Sequence, residues 1–175
     1  MSQFRLAKVR RPHEVAAAAV LFREYADWLG IDLSFQGFEA EVASLPGKYA
    51  PPLGELMLAC APTGDALGCV AVRPLEGAAV CEMKRLYVRP AARGHGLGAV
   101  LVAAIIGCAE ERGYAQMKLD TLAGMAEAFA LYKRFGFLEI PAYYHNPLPG
   151  TAYLGKQLTP GGASSELRRR TSDDD

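Results

Sequence analysis

Arg93-Gly94-His95-Gly96-Leu97-Gly98 stands between a strand-like segment and a helix-like one, and its reading decides the fold. The segment before it, Cys81 to Val88, ends at Arg89-Pro90. After it, Leu97, Val100, Leu101, Ala104, Ile105 and Cys108 recur at three- and four-residue spacing, so the local order is strand, glycine loop, helix. The first backbone N–H groups of a helix lack intrahelical acceptors and lie at the positive end of its dipole, which favours a phosphate oxygen. Glycines allow positive φ and let a bulky polyanion approach the backbone without meeting a Cβ. The loop by itself points to pyrophosphate binding.

Working outward, Phe4 to Arg10 alternates weakly as a first strand, and Pro12 opens a helix whose stripe Val15, Ala19, Phe22, Ala26 and Leu29 ends at Gly30. A short helix is expected around Phe35 to Leu45 with Ser34 as its N-cap, followed by a loop at Pro46-Gly47 and Pro51-Pro52 that could border a substrate. Glu55 to Ala61 and Ala66 to Pro74 read as strands joined by Pro62-Thr63-Gly64-Asp65. Ala79 to Val88 and Gln116 to Thr121 flank the glycine-loop helix, and a strand, helix, strand crossover implies parallel pairing inside a mixed sheet. Met125 to Phe135 reads as a helix stopped by Gly136. Phe137 to Tyr143 and Ala152 to Leu158 read as closing strands around a His145 to Gly150 loop.

The length fits one domain over residues 1–159, with a polar tail from 160 to 175 that has almost nothing to bury and is expected to be disordered. Lys plus Arg equals Asp plus Glu at 19 each, so no global electrostatic footprint for nucleic acid is present. Cys60, Cys69, Cys81 and Cys108 lie in apolar segments without metal-ligand spacing, which suits reduced structural thiols and no metal. With no apolar signal core at Met1 to Arg5 and no run long enough to span a bilayer, a cytoplasmic protein without membrane partners is expected.

Two phosphate-binding motifs compete for the glycine loop. A P-loop needs Lys and Ser/Thr after its last glycine, whereas Gly98 is followed by Ala99-Val100, so that reading is excluded. Gly94-x-Gly96-x-x-Ala99 fits the dinucleotide fingerprint, with Asp120 near the ribose-binding distance, and keeps an NAD(P)-binding oxidoreductase open as an alternative. Against it, the fingerprint normally opens such a fold, and too little chain follows Asp120 for the remaining parallel strands.

The flanks carry more. Glu82-Met83-Lys84-Arg85-Leu86-Tyr87-Val88, then Arg93 to Gly98, then Ala128-Phe129-Ala130-Leu131-Tyr132-Lys133-Arg134-Phe135-Gly136-Phe137 together resemble the GNAT acetyltransferase superfamily, with its Arg/Gln-x-x-Gly-x-Gly/Ala signature and a later Leu-Tyr-x-x-x-Gly-Phe. The resemblance covers residues 4 to 158. It implies an α/β fold with a mixed sheet of six to seven mostly antiparallel strands, a splayed parallel pair at its centre, and about four helices. It further implies an N-acetyltransferase that moves acetyl from acetyl-CoA to the amine of a small molecule by direct attack, without metal, and it allows a homodimer. A non-catalytic CoA-binding module on the same fold is the alternative.

Carried over by position, the resemblance assigns backbone groups of Leu86, Tyr87 and Val88 to the pantetheine and acetyl carbonyl, and Arg93, Gly94, His95, Gly96, Leu97 and Gly98 to the pyrophosphate. Tyr132 matches the tyrosine that protonates the leaving thiolate; the alternative is a core tyrosine on an amphipathic helix. Glu82 stands where several members place a carboxylate base, the alternative being pairing with Lys84 or Arg85. Met125 replaces an asparagine that contacts pantetheine in many members, and Asp120 and Thr121 could take over that contact or merely cap the next helix. Tyr143, Tyr144 and Asn146 fall in the region that borders the acceptor in related enzymes, and a well-packed turn is the alternative there.

Overall fold

The computed structural model describes residues 3–75, 77 and 79–161. Among them are seven strands and four α-helices in the order β1 (Arg5–Lys8), α1 (Pro12–Leu29), α2 (Phe38–Ala43), β2 (Glu55–Cys60), β3 (Ala66–Pro74), β4 (Val80–Val88), α3 (Leu97–Glu111), β5 (Gln116–Thr121), α4 (Ala126–Arg134), β6 (Leu138–Glu139) and β7 (Ala152–Gln157). The sheet order is β1-β2-β3-β4-β5-β7-β6. The β1/β2, β2/β3, β5/β7 and β6/β7 pairs are antiparallel, and β4/β5 is parallel through Val80, Cys81 and Glu82 against Gln116, Met117 and Lys118. The expected mixed sheet is therefore present. Its single parallel pair does not supply the run of parallel strands that a dinucleotide-binding fold requires.

The chain forms two compact units, one from Met1–Arg73 and Lys84–Ile105, the other from Pro74–Met83 and Ile106–Asp175. In the first, α1 begins where Pro12 supplies a preset φ and the Glu14 carboxylate accepts the N–H groups of Arg10 and Arg11 at 2.8 and 2.9 Å. It ends at Gly30, whose φ of 65° allows the left-handed stop. Ala18, Leu21 and Phe22 of α1 pack with Leu56, Leu58, Cys69, Ala71 and Tyr87 into a core from which water is excluded.

Two expectations fail in detail. Ser34 is not the cap of α2: residues Ser34–Gln36 form a 3₁₀ turn that Gly37 ends at φ 69°, and only then does α2 start. The closing strand expected over Phe137 to Tyr143 shrinks to Leu138–Glu139, because the tyrosines that gave it a β-like composition turn their hydroxyls onto carboxylates instead. In the second unit, Met117, Leu119, Phe137 and Leu154 are fully buried. The N–H groups of Thr159 and Gly161 donate to Glu110. The rest of the polar tail, from 162 onward, lies outside the described residues.

Candidate active site

The first unit holds the glycine loop. After β4, a 3₁₀ turn at Pro90–Ala92 delivers Arg93, and Gly94 and Gly96 take φ of 83° and 76°, which L-residues with a Cβ rarely adopt. A Cβ on either glycine would meet no atom within 4 Å, so it is the backbone conformation that demands glycine, and open space lies in front of it. Leu97 is buried and anchors α3, whose first intrahelical bond runs from the Val100 N–H to the Gly96 carbonyl at 3.2 Å. The preceding N–H groups are those a helix leaves for an anion, which fits the diphosphate of a nucleotide-bearing thioester. His95 and Gly94 are exposed.

Arg93 is built into the loop. Its Nε donates to the Val88 carbonyl at 2.9 Å, and its guanidinium lies 4.6 Å from the Trp28 ring centroid and 5.9 Å from that of Tyr87. The Tyr87 side chain belongs to the core, packed on Tyr25 and Trp28, so only its backbone can meet a ligand. Gly68 on β3 is required here as well: a Cβ would sit 2.7 Å from the Tyr87 carbonyl oxygen. Leu86 and Val88 are half-buried.

The second unit holds a tyrosine and carboxylate cluster. Strand pairing places Lys118 opposite Glu82 and Tyr153 opposite Asp120, so these four residues share one face. The loop after β6 lays Tyr143 and Tyr144 over them, the three tyrosine rings meeting pairwise at 5.4 to 5.6 Å between centroids. Glu82 is 1% exposed and accepts the Tyr143 hydroxyl at 2.6 Å. Asp120 accepts the Tyr144 hydroxyl at 2.7 Å and the Asn146 amide at 3.3 Å. The Asn146 side-chain Oδ1 accepts the Leu148 N–H at 2.9 Å and fixes the turn. Burial, reinforced by Glu82, holds the Tyr143 phenol well above its ordinary value, and burial with Asp120 does the same for Tyr144. Both phenols are therefore protonated donors at neutral pH.

These contacts decide several sequence alternatives. Arg85 does not serve as the partner of Glu82, because its guanidinium is bound to Glu41. Asp120 does not cap α4; Met125 occupies that N-cap, its N–H donating to Leu122 and its carbonyl accepting Phe129. Thr121 is 5% exposed and its hydroxyl has no partner among the described residues, a cost a ligand would remove. Tyr132 is buried, 8% exposed, its ring edge-on to Phe137 at 5.9 Å. The four cysteines are free and buried, and burial pushes the Cys69 and Cys81 thiols up to about 12, so neither is a thiolate nucleophile.

Sequence reasoning missed the ion pair between Glu41 and Arg85 and the stack of Trp28 on Arg93. One signal was available for the first: Phe38, Glu41 and Val42 share a helical face, and all three are buried.

Comparison with known proteins gives the family. The family model described as acetyltransferase (GNAT) family matches residues 22–137. The chain belongs to that family. An uncharacterized N-acetyltransferase of Schizosaccharomyces pombe is 44% identical over 90% of this chain and 97% of its own length. An aminoglycoside N(6')-acetyltransferase type 1 of Klebsiella aerogenes is 31% identical over 66% of this chain and 84% of its own. A solved GNAT superfamily phosphinothricin acetyltransferase from Sinorhizobium meliloti, in complex with AcCoA, shares the fold at a TM-score of 0.68 and 17% identity, covering 93% of this chain and 92% of that one. The protein is thus an acyl-CoA-dependent N-acetyltransferase, transferring acetyl to an amine. No helix among the described residues is long and apolar enough to cross a membrane.

Proposed function

We propose that this acetyltransferase moves acetyl from acetyl-CoA directly to the amine of a small molecule, with Glu82 receiving the amine's proton through the Tyr143 hydroxyl. The observation that carries this reading is the 2.6 Å contact between a half-buried phenol and a carboxylate that is only 1% exposed. An alkylammonium must lose a proton before its nitrogen can attack a thioester. The amine passes it to the Tyr143 oxygen while Tyr143 passes its own to Glu82. The new C–N bond forms as the C–S bond breaks, the acylated nitrogen releases its second proton to solvent, and the sulfur takes a proton from Tyr132, which solvent restores.

The donor is held by the chain's own backbone. Leu86, Tyr87 and Val88 offer peptide groups to the pantetheine and to the developing oxyanion, where a preorganised N–H stabilises the transition state more than the ground state. Arg93 to Gly98 take the diphosphate at the α3 N-terminus. Thr121 offers its unpaired hydroxyl to the donor arm, and Met125 an apolar contact in place of an amide. Asp120, engaged by Tyr144 and Asn146, moves from the donor to the acceptor side. There, two carboxylates among aromatic faces suit a cationic amine. The aminoglycoside acetyltransferase relative supports a small-molecule acceptor.

A screen of amines with acetyl-CoA, read as thiol release, identifies the acceptor. With it, Glu82→Gln is expected to lower kcat by about a hundredfold or more while leaving acetyl-CoA affinity unchanged. A Glu82→Gln enzyme with wild-type turnover would rule the base assignment out.

A further inference from the structure

Arg85 lies in the middle of β4 with φ of 60°, a left-handed conformation that a residue with a Cβ keeps only where its surroundings over-determine it. Consecutive residues of a regular strand point to opposite faces. Lys84 and Arg85 nevertheless both reach the segment around α2: the Lys84 ammonium meets the Gln36 side-chain oxygen at 3.4 Å, and the Arg85 guanidinium meets Glu41 through Nε at 2.8 Å and Nη2 at 3.3 Å. The left-handed residue breaks the regular alternation of the strand, so the peptide groups that follow it are re-aimed.

That left-handed turn is gripped on two sides. The Arg85 side chain is 4% exposed, paired with an equally buried Glu41 and lying 5.4 Å from the Phe38 ring centroid. Its carbonyl accepts the Cys69 thiol from β3 at 3.2 Å. Glu41 is itself fixed by the Tyr49 hydroxyl at 2.8 Å and the Lys48 ammonium at 3.1 Å. A buried ion pair is a poor source of stability compared with apolar packing of the same volume, because desolvation offsets most of the attraction. What it supplies here is direction. Leu86 to Val88, the backbone assigned to the acyl donor, begin at the next residue.

We propose that Glu41 is a positioning residue for the donor: by gripping Arg85 it holds the left-handed turn of β4 and so sets the direction of the Leu86 to Val88 backbone. This rests on the reading of that backbone as the acetyl-CoA contact. Its consequence is that α2, a short helix remote in sequence, controls donor affinity without touching the donor.

Calorimetric acetyl-CoA binding and thermal midpoints of Glu41→Gln, with Arg85→Gly or Arg85→Ala added to it, test this. Glu41→Gln is expected to weaken acetyl-CoA binding about tenfold. Adding Arg85→Gly should recover most of that loss, since glycine takes the required φ freely, whereas adding Arg85→Ala should not. If Glu41→Gln does not fold, Glu41→Asp, which keeps the charge and shortens the reach, replaces it in the same three-way comparison. Lowered midpoints with unchanged affinity, or equal behaviour of the glycine and alanine doubles, would overturn the inference alone. Wild-type protein that does not bind acetyl-CoA would overturn the donor assignment and this inference with it.

Discussion

The glycine loop and the tyrosine and carboxylate cluster solve opposite problems. As proposed, Arg93 to Gly98 bind the diphosphate through backbone, and what they need is local: two residues at positive φ, a buried Leu97, and a helix start. The cluster works through side chains, and what it needs is non-local. Glu82 comes from β4, Asp120 from β5, Tyr153 from β7 and Tyr143, Tyr144 and Asn146 from a loop, brought together by strand register and ring packing. A backbone site tolerates side-chain change and fails when φ changes; a side-chain site fails when one hydroxyl or carboxylate is lost.

That contrast can be broken in order of expected effect. Tyr132→Phe should slow turnover by about tenfold to a hundredfold with acetyl-CoA affinity nearly intact, read by single-turnover kinetics. Unchanged transfer would return Tyr132 to the core reading that its packing on Phe137 also allows. Gly96→Ala should do the reverse, raising the KM for acetyl-CoA by about tenfold with little change in kcat at saturation, because alanine resists φ of 76°. A fall in kcat alone would mean that the loop shapes the chemistry rather than the binding.

Smaller effects sharpen the same line. Trp28→Ala removes the ring beneath Arg93 and should weaken acetyl-CoA binding by about two- to fivefold, in keeping with an exposed cation–π contact. Equal loss of affinity for the acceptor would show that the stack serves both substrates. The mildest test is acid stability. Burial raises the Glu41 carboxyl, but Arg85 and Lys48 more than offset it and hold it below its ordinary value. Its contribution to stability is therefore present above the unfolded-state pKa and is lost as pH falls through the lower folded one. Urea midpoints measured on descending pH should fall less steeply for Glu41→Gln than for wild type in that acid range.

Much of this was legible along the chain. Pro12, Gly30, Gly113 and Gly136 bracket helices where the backbone conformation itself requires those residues, and the stripe after Gly96 has the period of α3. The failures share a cause. Tyr143 and Tyr144 look β-forming, but their hydroxyls are satisfied by carboxylates distant in sequence, and no local pattern reports that choice. Ser34 looks like a cap, but Gly37 breaks the helix after it. Arg85 looks like a neighbour of Glu82, yet at φ of 60° it turns toward Glu41.

The sequence by itself pointed to a diphosphate-bearing donor, because a glycine loop at a helix start is a backbone device whose requirements are met within a few consecutive residues, and the motifs flanking the loop favoured acetyl-CoA over NAD(P) through their resemblance to GNAT acetyltransferases. Tertiary structure alone decided which proton donors and acceptors meet. Hydrogen bonds of Glu82 with Tyr143, of Asp120 with Tyr144, and of Glu41 with Arg85 each join residues far apart in the chain, and only the register of the sheet and the packing above it bring them within reach.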